Sequence, residues 1–396
     1  MSRKTKVAVV GLGTTGSMAL WQLSRREDVE VIGFEQFGVG HGYGAFTGES
    51  RLFRTAYHEG GKYVPLLLRS RELWQDLGRE TGRPLLNPYG VLSVGRESDG
   101  PFQRMLESVA AYRLPHERLD AAAMRRRYPS LDFRDDEAGV LDLYGGALRP
   151  ELAVMSAIEQ AVDNGATVIE HERILDIDDS VETPGKVTVI TSNRTMTVDR
   201  IIVTAGAWVQ ELIPEVRDLV EVRKLVLTWF LPRIYSDFEP SKLPCFIRDR
   251  DGFHIFGAPS VDGYSVKIAG MDVWGGPETE RIEDADLRLD RRRVSEFGAQ
   301  VRDMFPGVQC EPNRFSVHFD TFTRSRDPII DRVGNITVVA GLSGHGFKMS
   351  TGLGELAADL ALTGTSTHWH RDFRLATHLP VPTRETMPDD RALRMC

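Results

Sequence analysis

The sequence predicts an α/β fold in which a Rossmann-like βαβ domain is interleaved with a mostly antiparallel α+β domain. Three observations predict it. The chain opens on a short apolar strand, Lys6-Val7-Ala8-Val9-Val10, that runs straight into Gly11-Leu12-Gly13-Thr14-Thr15-Gly16. From about Val220 the texture changes to alternating, aromatic-rich segments that read as strands. A strand of the buried, parallel kind then returns at Ile336 to Ala340, so the C-terminal segment closes the first domain. A simple nicotinamide dehydrogenase differs, because its cofactor domain is usually one contiguous stretch.

Taken in order, Gly11 permits a tight turn and Gly13 lets backbone approach a pyrophosphate. Gly16 lets the helix from about Thr15 to Arg26 pack on the strand, with Thr14 and Thr15 at the end that faces phosphates. Val29 to Phe34 is the second strand, and Glu35 follows nineteen residues past Gly16, where a carboxylate accepts from adenosine ribose hydroxyls. A lone glycine motif is weak evidence, but strand, helix and acid together specify a dinucleotide site. Gly38 to Gly48 is a glycine-rich loop, and Val64 to Trp74 carries apolar residues at helical spacing. Pro150 to about Asn164 is a helix with proline in its first turn, and the strand Ala166 to Glu170 follows. Val187 to Ile190 and Met196 to Val198 form a hairpin. Arg200 to Thr204 is a buried strand that ends in the turn Ala205-Gly206-Ala207-Trp208. The second domain contributes strands at Lys224 to Phe230, Phe253 to Phe256, Tyr264 to Ala269 and Phe315 to Phe319. Gly341 to Lys348 then leads into a helix from about Ser350 to Thr363. The expected division is 1–85, 147–217 and 328–380 for the dinucleotide domain, 86–146 and 218–327 for the other, and 381–396 as an extension carrying Pro382 and Pro388.

Composition bounds the function. The 396 residues exceed one typical core, and 41% hydrophobic with 27% charged residues is an ordinary globular balance. A formal charge of −8 without a basic run argues against nucleic acid as a partner. Cys245, Cys310 and Cys396 have no metal-ligand spacing and are too few for a disulfide scaffold, so no metal and a cytoplasmic setting are expected. The apolar run after Lys6 is too short for a signal peptide or a membrane span.

With these elements in place, the chain resembles the amine-oxidising flavoproteins of the D-amino-acid oxidase superfamily, most nearly the monomeric sarcosine oxidase and N-methyltryptophan oxidase group. The carriers are Gly11 to Gly16 with Glu35, the segment Ser50-Arg51-Leu52-Phe53-Arg54-Thr55-Ala56-Tyr57-His58-Glu59-Gly60, the turn Thr204 to Trp208, Lys267, and Gly341 to Lys348. The resemblance implies FAD, with its adenine end on the βαβ unit and Gly206 and Trp208 beside it. Arg54 resembles the arginine that pairs with a substrate carboxylate, and Lys348 the lysine that joins it. A guanidinium fork and an ammonium hold a carboxylate in one orientation. Lys267, on an apolar strand where a core-side lysine is costly unless used, resembles the lysine that activates oxygen. Arg51 resembles an arginine stacked near the flavin ring, and Gly344 to Gly346 bring backbone N–H groups to its pyrimidine end.

Departures from the group carry as much weight. Members attach FAD through a cysteine, but the matching place here is His318. FAD is therefore expected without a covalent bond, with a histidyl link through His318 as the alternative and an ordinary buried histidine as the plain reading. Where members place a tyrosine, a histidine and a tyrosine around the substrate amine, this chain has Phe256, Met271 and Asp320. Sarcosine itself is thereby disfavoured, and Asp320 either accepts from a cationic amine or caps a turn. The expected activity is oxidation of a secondary or primary amine on a carboxylate-bearing substrate, giving an imine and, with molecular oxygen, hydrogen peroxide. The rivals are a dehydrogenase of the same fold, a nicotinamide enzyme and a non-catalytic flavin-binding protein.

Overall fold

The computed structural model describes residues 3–179, 185–271, 274, 282 and 287–379. The expected extension at 381–396, with Cys396, lies outside the described residues. The first strand, Thr5–Val10, is central in a six-stranded sheet because both its faces are apolar and covered. It pairs in parallel with Val29–Phe34 on one side and Arg200–Val203 on the other. Thr167–Ile169 and Ile336–Ala340 extend the sheet in parallel, and Ile329–Val333 closes the far edge antiparallel. The helix Gly16–Ser24 lies across this sheet with all but its last residue buried, packed against Ser350–Thr363 and Pro150–Asp163. Gly354 makes the first of those contacts close, since a Cβ there would meet the backbone of Met18 and Ala19 at 2.5–2.6 Å.

The second sheet has eight strands in the order Arg314–Thr323, Val220–Phe230, Val266–Gly270, Phe253–Ala258, Cys245–Arg250, Val91–Arg96, Glu137–Asp142 and His116–Asp120. Every pairing is antiparallel except that of Cys245–Arg250 with Val91–Arg96. A separate core of aromatic and aliphatic residues, among them Phe230, Phe246, Phe297 and Phe305, packs under it. The short strand Arg51–Phe53 pairs with Gly146–Leu148 between the two sheets, so the segment that follows Phe53 is held at their junction. No helix among the described residues is long and apolar enough to cross a membrane.

Candidate active site

An elongated groove runs over the C-terminal ends of the parallel strands. Gly11, Gly13, Thr14 and Thr15 line it at the start of the first helix, Glu35 at the end of the second strand, and Gly206 and Trp208 on the turn after the strand Arg200–Val203. Gly11 has a φ of 82°, and a Cβ there would press on the Thr204 carbonyl at 2.8 Å. Gly13 is different, because a Cβ on it would find only the Phe46 ring, at 3.6 Å. Protein packing does not demand that glycine, so the open space belongs to a ligand. The Thr15 hydroxyl is buried and has no hydrogen-bond partner among the described residues. Glu35 is buried and accepts from the main-chain N–H of Leu12 at 2.9 Å and of Phe37 at 3.1 Å, which fixes the carboxylate at the groove while leaving lone pairs for a ribose. Helix N-terminus, orphaned hydroxyl and acid fit a dinucleotide.

Beyond the groove lies a cavity of about 540 Å³ lined by Arg51, Arg54, Phe256, Met271, Gly344 and Lys348 among others. Arg54 reaches it because Asp142 accepts from the backbone N–H of Ala56 at 2.9 Å and from the Thr55 hydroxyl at 3.1 Å, anchoring the loop after Phe53. The Arg54 fork donates to both oxygens of Glu59, at 2.7 and 2.9 Å, and to His58 Nδ1 at 3.1 Å. Lys348 sits on the one-turn helix Phe347–Met349, whose backbone is pinned where the Lys348 carbonyl accepts from the Trp74 indole at 3.0 Å. Its ammonium donates to the His345 carbonyl at 2.9 Å. Both cations lie over one face system, the Tyr57 ring, with Arg54 Cζ at 4.4 Å and Lys348 Nζ at 5.4 Å from its centroid. Burial, then the neighbouring Arg54, pushes Lys348 down to about 7. Burial works to raise Glu59, but Arg54 together with His58, Lys348 and His345 outweighs it and holds the carboxyl below the usual range. Burial and Arg54 push His58 down to about 3, so its ring is neutral.

Lys267 and Arg51 belong to a second buried cluster. Lys267 is 3% exposed, so its strand does not turn this residue to solvent, and its ammonium donates to the carbonyls of Gly48 and Ser50 at 2.9 and 2.5 Å. Arg51 donates to the carbonyls of Ser50, Ala45 and Thr47 at 2.6–2.8 Å. Burial lowers Arg51 to about 10, and burial together with Arg51 depresses Lys267. A cation held this way gains its proton most readily when negative charge arrives beside it.

Two expectations are redirected. Asp320, expected at the substrate amine, lines the groove and not the cavity. Its carboxylate accepts from the Gly344 N–H and from the Thr321 N–H, each at 2.8 Å, so the Gly344 amide expected at a flavin ring is already engaged. Gly346 serves packing, since a Cβ there would overlap the Leu342 side chain. His318 is buried, with Nδ1 on the Thr47 hydroxyl at 3.1 Å and Nε2 on the Ser316 hydroxyl at 2.8 Å, and burial lowers it to about 4. Sequence reasoning missed Asp142, Glu59, His254 and Arg104. Glu59 lay inside the quoted segment, five residues past Arg54; the others carry no local signal.

A family model described as FAD dependent oxidoreductase matches residues 6–360. The chain is 34% identical over 378 residues to monomeric sarcosine oxidase of Streptomyces avermitilis, covering 93% of this chain and 96% of that one. It is 33% identical over 359 residues to N-methyl-L-tryptophan oxidase of Yersinia pestis, covering 88% and 93%. Among solved structures, the open form of the amino acid oxidase NikD superposes with a TM-score of 0.79 at 20% identity, covering 94% of this chain and 97% of that one, which bears on the fold. The chain therefore belongs to the FAD-dependent oxidoreductases, with monomeric sarcosine oxidase and N-methyl-L-tryptophan oxidase as relatives over most of its length.

Proposed function

We propose that the protein is an FAD-dependent oxidase of a secondary or primary amine on a carboxylate-bearing substrate, producing an imine and hydrogen peroxide. The observation that carries this reading is the pair Arg54 and Lys348, 4% and 8% exposed, set over one tyrosine ring on the wall of the cavity. The relatives' names support an amino acid as the substrate class. FAD, when bound, supplies the acceptor for a hydride equivalent and the route for the electron pair to oxygen. Arg54 and Lys348 bind the carboxylate and fix the amine-bearing carbon at the junction. Glu59 fills the Arg54 fork beforehand, so a substrate carboxylate takes its place. Phe256 and Met271 offer no hydroxyl or imidazole to the amine, which disfavours sarcosine. Lys267 contributes positive charge for reduced oxygen, and water hydrolyses the released imine. The two partnered nitrogens of His318 favour FAD held without a covalent bond.

Mixing the holoenzyme anaerobically with N-methyl, cyclic and primary amino acids, while following flavin absorbance, tests this directly. Bleaching by at least one of them, then recovery and peroxide on admitting air, is expected. A flavin that no amine bleaches overturns the proposal, and bleaching with slow recovery in air identifies a dehydrogenase. Acid precipitation should leave the flavin in the supernatant; yellow colour in the pellet that is lost in His318→Ala would locate a covalent link.

A further inference from the structure

An amino acid arrives near neutrality as its ammonium, which has no lone pair to push a hydride off the adjoining carbon, so the amine must lose a proton before it can be oxidised. A base in the cavity would take it. Most of the polar wall cannot serve: a guanidinium accepts no proton, the Glu59 carboxylate is filled by the Arg54 fork, and Lys348 is needed as its ammonium for the carboxylate. His58 gives Nδ1 to Arg54, and burial with Arg54 pushes it down to about 3. His345 has both nitrogens engaged, by the Tyr57 hydroxyl at 2.8 Å and the Arg326 carbonyl at 3.0 Å, and burial pushes it down to about 4. His254 differs. On Phe253–Ala258 it shares a strand face with Phe256, and both line the cavity, while Ile255 between them turns into the core. Its ring centroid lies 6.5 Å from that of Phe256 and 5.8 Å from that of His58, which itself touches Arg54. The imidazole therefore stands one side chain away from the carboxylate site. Its Nδ1 meets Asp249, the residue directly opposite on Cys245–Arg250, at 2.7 Å. A carboxylate only accepts, so Nδ1 carries the hydrogen and Nε2 keeps a lone pair, which has no hydrogen-bond partner among the described residues.

We propose that His254, oriented by Asp249, is the base that takes the proton of the substrate ammonium. This rests on the reading that Arg54 and Lys348 hold the carboxylate of an amine substrate. The ammonium N–H bond breaks and an Nε2–H bond forms, leaving a neutral amine beside an imidazolium that the Asp249 carboxylate balances. The proton then passes to water, since the two side chains are 30% and 42% exposed and Asp249 lines not this cavity but an adjoining one of about 410 Å³. The other titratable or charged groups on elements around His254 are His58, with Arg54 and Glu59 beyond it, and Arg104, which donates to the His58 carbonyl at 3.0 Å. Met271, whose N–H donates to the His254 carbonyl, brings none.

The test uses binding first, which needs no turnover. 2-Aminoisobutyrate has neither an α-hydrogen nor an N-alkyl group and so cannot be oxidised, and isobutyrate is the same acid without the amine. Both carry the carboxylate, so the titration of Lys348 acts on both alike, and the ratio of their affinities for the holoenzyme, read by flavin absorbance, isolates the amine. In the wild type that ratio should fall by roughly tenfold as the pH drops below neutrality, the worth of one charge-assisted hydrogen bond, because a protonated His254 repels the ammonium. In His254→Gln it should be flat. Anaerobic flavin reduction by the amino acid that bleaches the wild type fastest should be about a hundredfold slower in His254→Gln at neutral pH. It should recover at alkaline pH, where the amine loses its proton unaided, with isobutyrate affinity unchanged. A wild-type ratio that does not move with pH overturns the inference even if the variant fails to hold FAD. So does a variant with the wild-type rate and pH profile, or one that loses isobutyrate affinity by the same factor as rate, which would make His254 part of the site's shape. If the ratio behaves as expected but no amine reduces the flavin, the base is as inferred and the oxidase reading is what fails.

Discussion

The groove and the cavity beyond it are walled in different materials. In the groove, the groups offered to a ligand are main chain at Gly11, Gly13 and Gly206, with Glu35 the acid at the end of the second strand. In the cavity they are long cationic side chains brought from four separate stretches of chain, at Arg51 to Arg54, Arg104, Arg326 and Lys348. Main chain cannot be exchanged by substitution, but added side-chain atoms obstruct it; side-chain charges can be exchanged one at a time. The cofactor half of the site should therefore fail abruptly when altered, and the substrate half should be tunable.

The sharpest test of that contrast lies inside the groove. In Gly16→Ala the new Cβ would overlap the Gly11 carbonyl and crowd the Thr204 hydroxyl, which are tied to each other where the hydroxyl donates to that carbonyl at 2.7 Å, so the turn must break. Loss of bound FAD together with several kcal/mol of stability is expected, as for other core overlaps. Gly13→Ala has room against Phe46, so the thermal midpoint of the FAD-free protein should hold while FAD affinity falls. Flavin absorbance after desalting and a melting curve separate the two, and identical behaviour of both variants would break the distinction between packing and ligand glycines.

Lys267→Met comes next in size. Methionine keeps much of the side chain's volume but deletes the charge, so reoxidation of the flavin by air should slow by orders of magnitude with anaerobic reduction nearly intact. Stopped-flow mixing with substrate and then oxygen reads each step. Slow reduction with normal reoxidation would move Lys267 to the substrate side.

The same contrast explains what could be read in advance. The groove was legible because its chemistry is local: three glycines at fixed spacing, a strand before, an acid after. Arg54 and Lys348 were singled out through resemblance, since a lone cation carries no pattern, and Lys267 through resemblance together with its place on an apolar strand. Asp142 and His254 escaped because each lies on a strand distant in sequence from the loop or cavity it serves. Asp320 lines the groove and not the cavity, and spacing does not say which way a carboxylate on a strand faces. The edge strand His116–Asp120 was also missed; it is almost wholly exposed and polar, so it lacks the alternation that marks a half-buried strand.

In the tunable half, Glu59→Gln should strengthen carboxylate binding. The native Glu59 occupies the Arg54 fork with two charge-assisted hydrogen bonds, and a ligand must displace it. A neutral amide competes less well, so the Kd of a carboxylate inhibitor should fall by roughly tenfold, the equivalent of one charged hydrogen bond. Weaker binding instead would mean that Glu59 positions Arg54 for the ligand and does not compete with it.

The smallest expected effect is on pH, and it isolates Lys348. Its pKa in the free protein is lowered to about 7, first by burial and then by Arg54, so ammonium and amine are both populated near neutrality. An anionic ligand binds the ammonium form better, and by linkage its affinity is complete below that pKa and declines as pH rises through it. The fall approaches tenfold per pH unit only well above the pKa, so a few-fold loss per unit is expected just above neutrality. Titrating a carboxylate inhibitor by flavin absorbance at several pH values should show this limb, and Lys348→Met should bind more weakly but without it. A limb that persists in Lys348→Met would assign the titration to another group and remove the lysine from the carboxylate site.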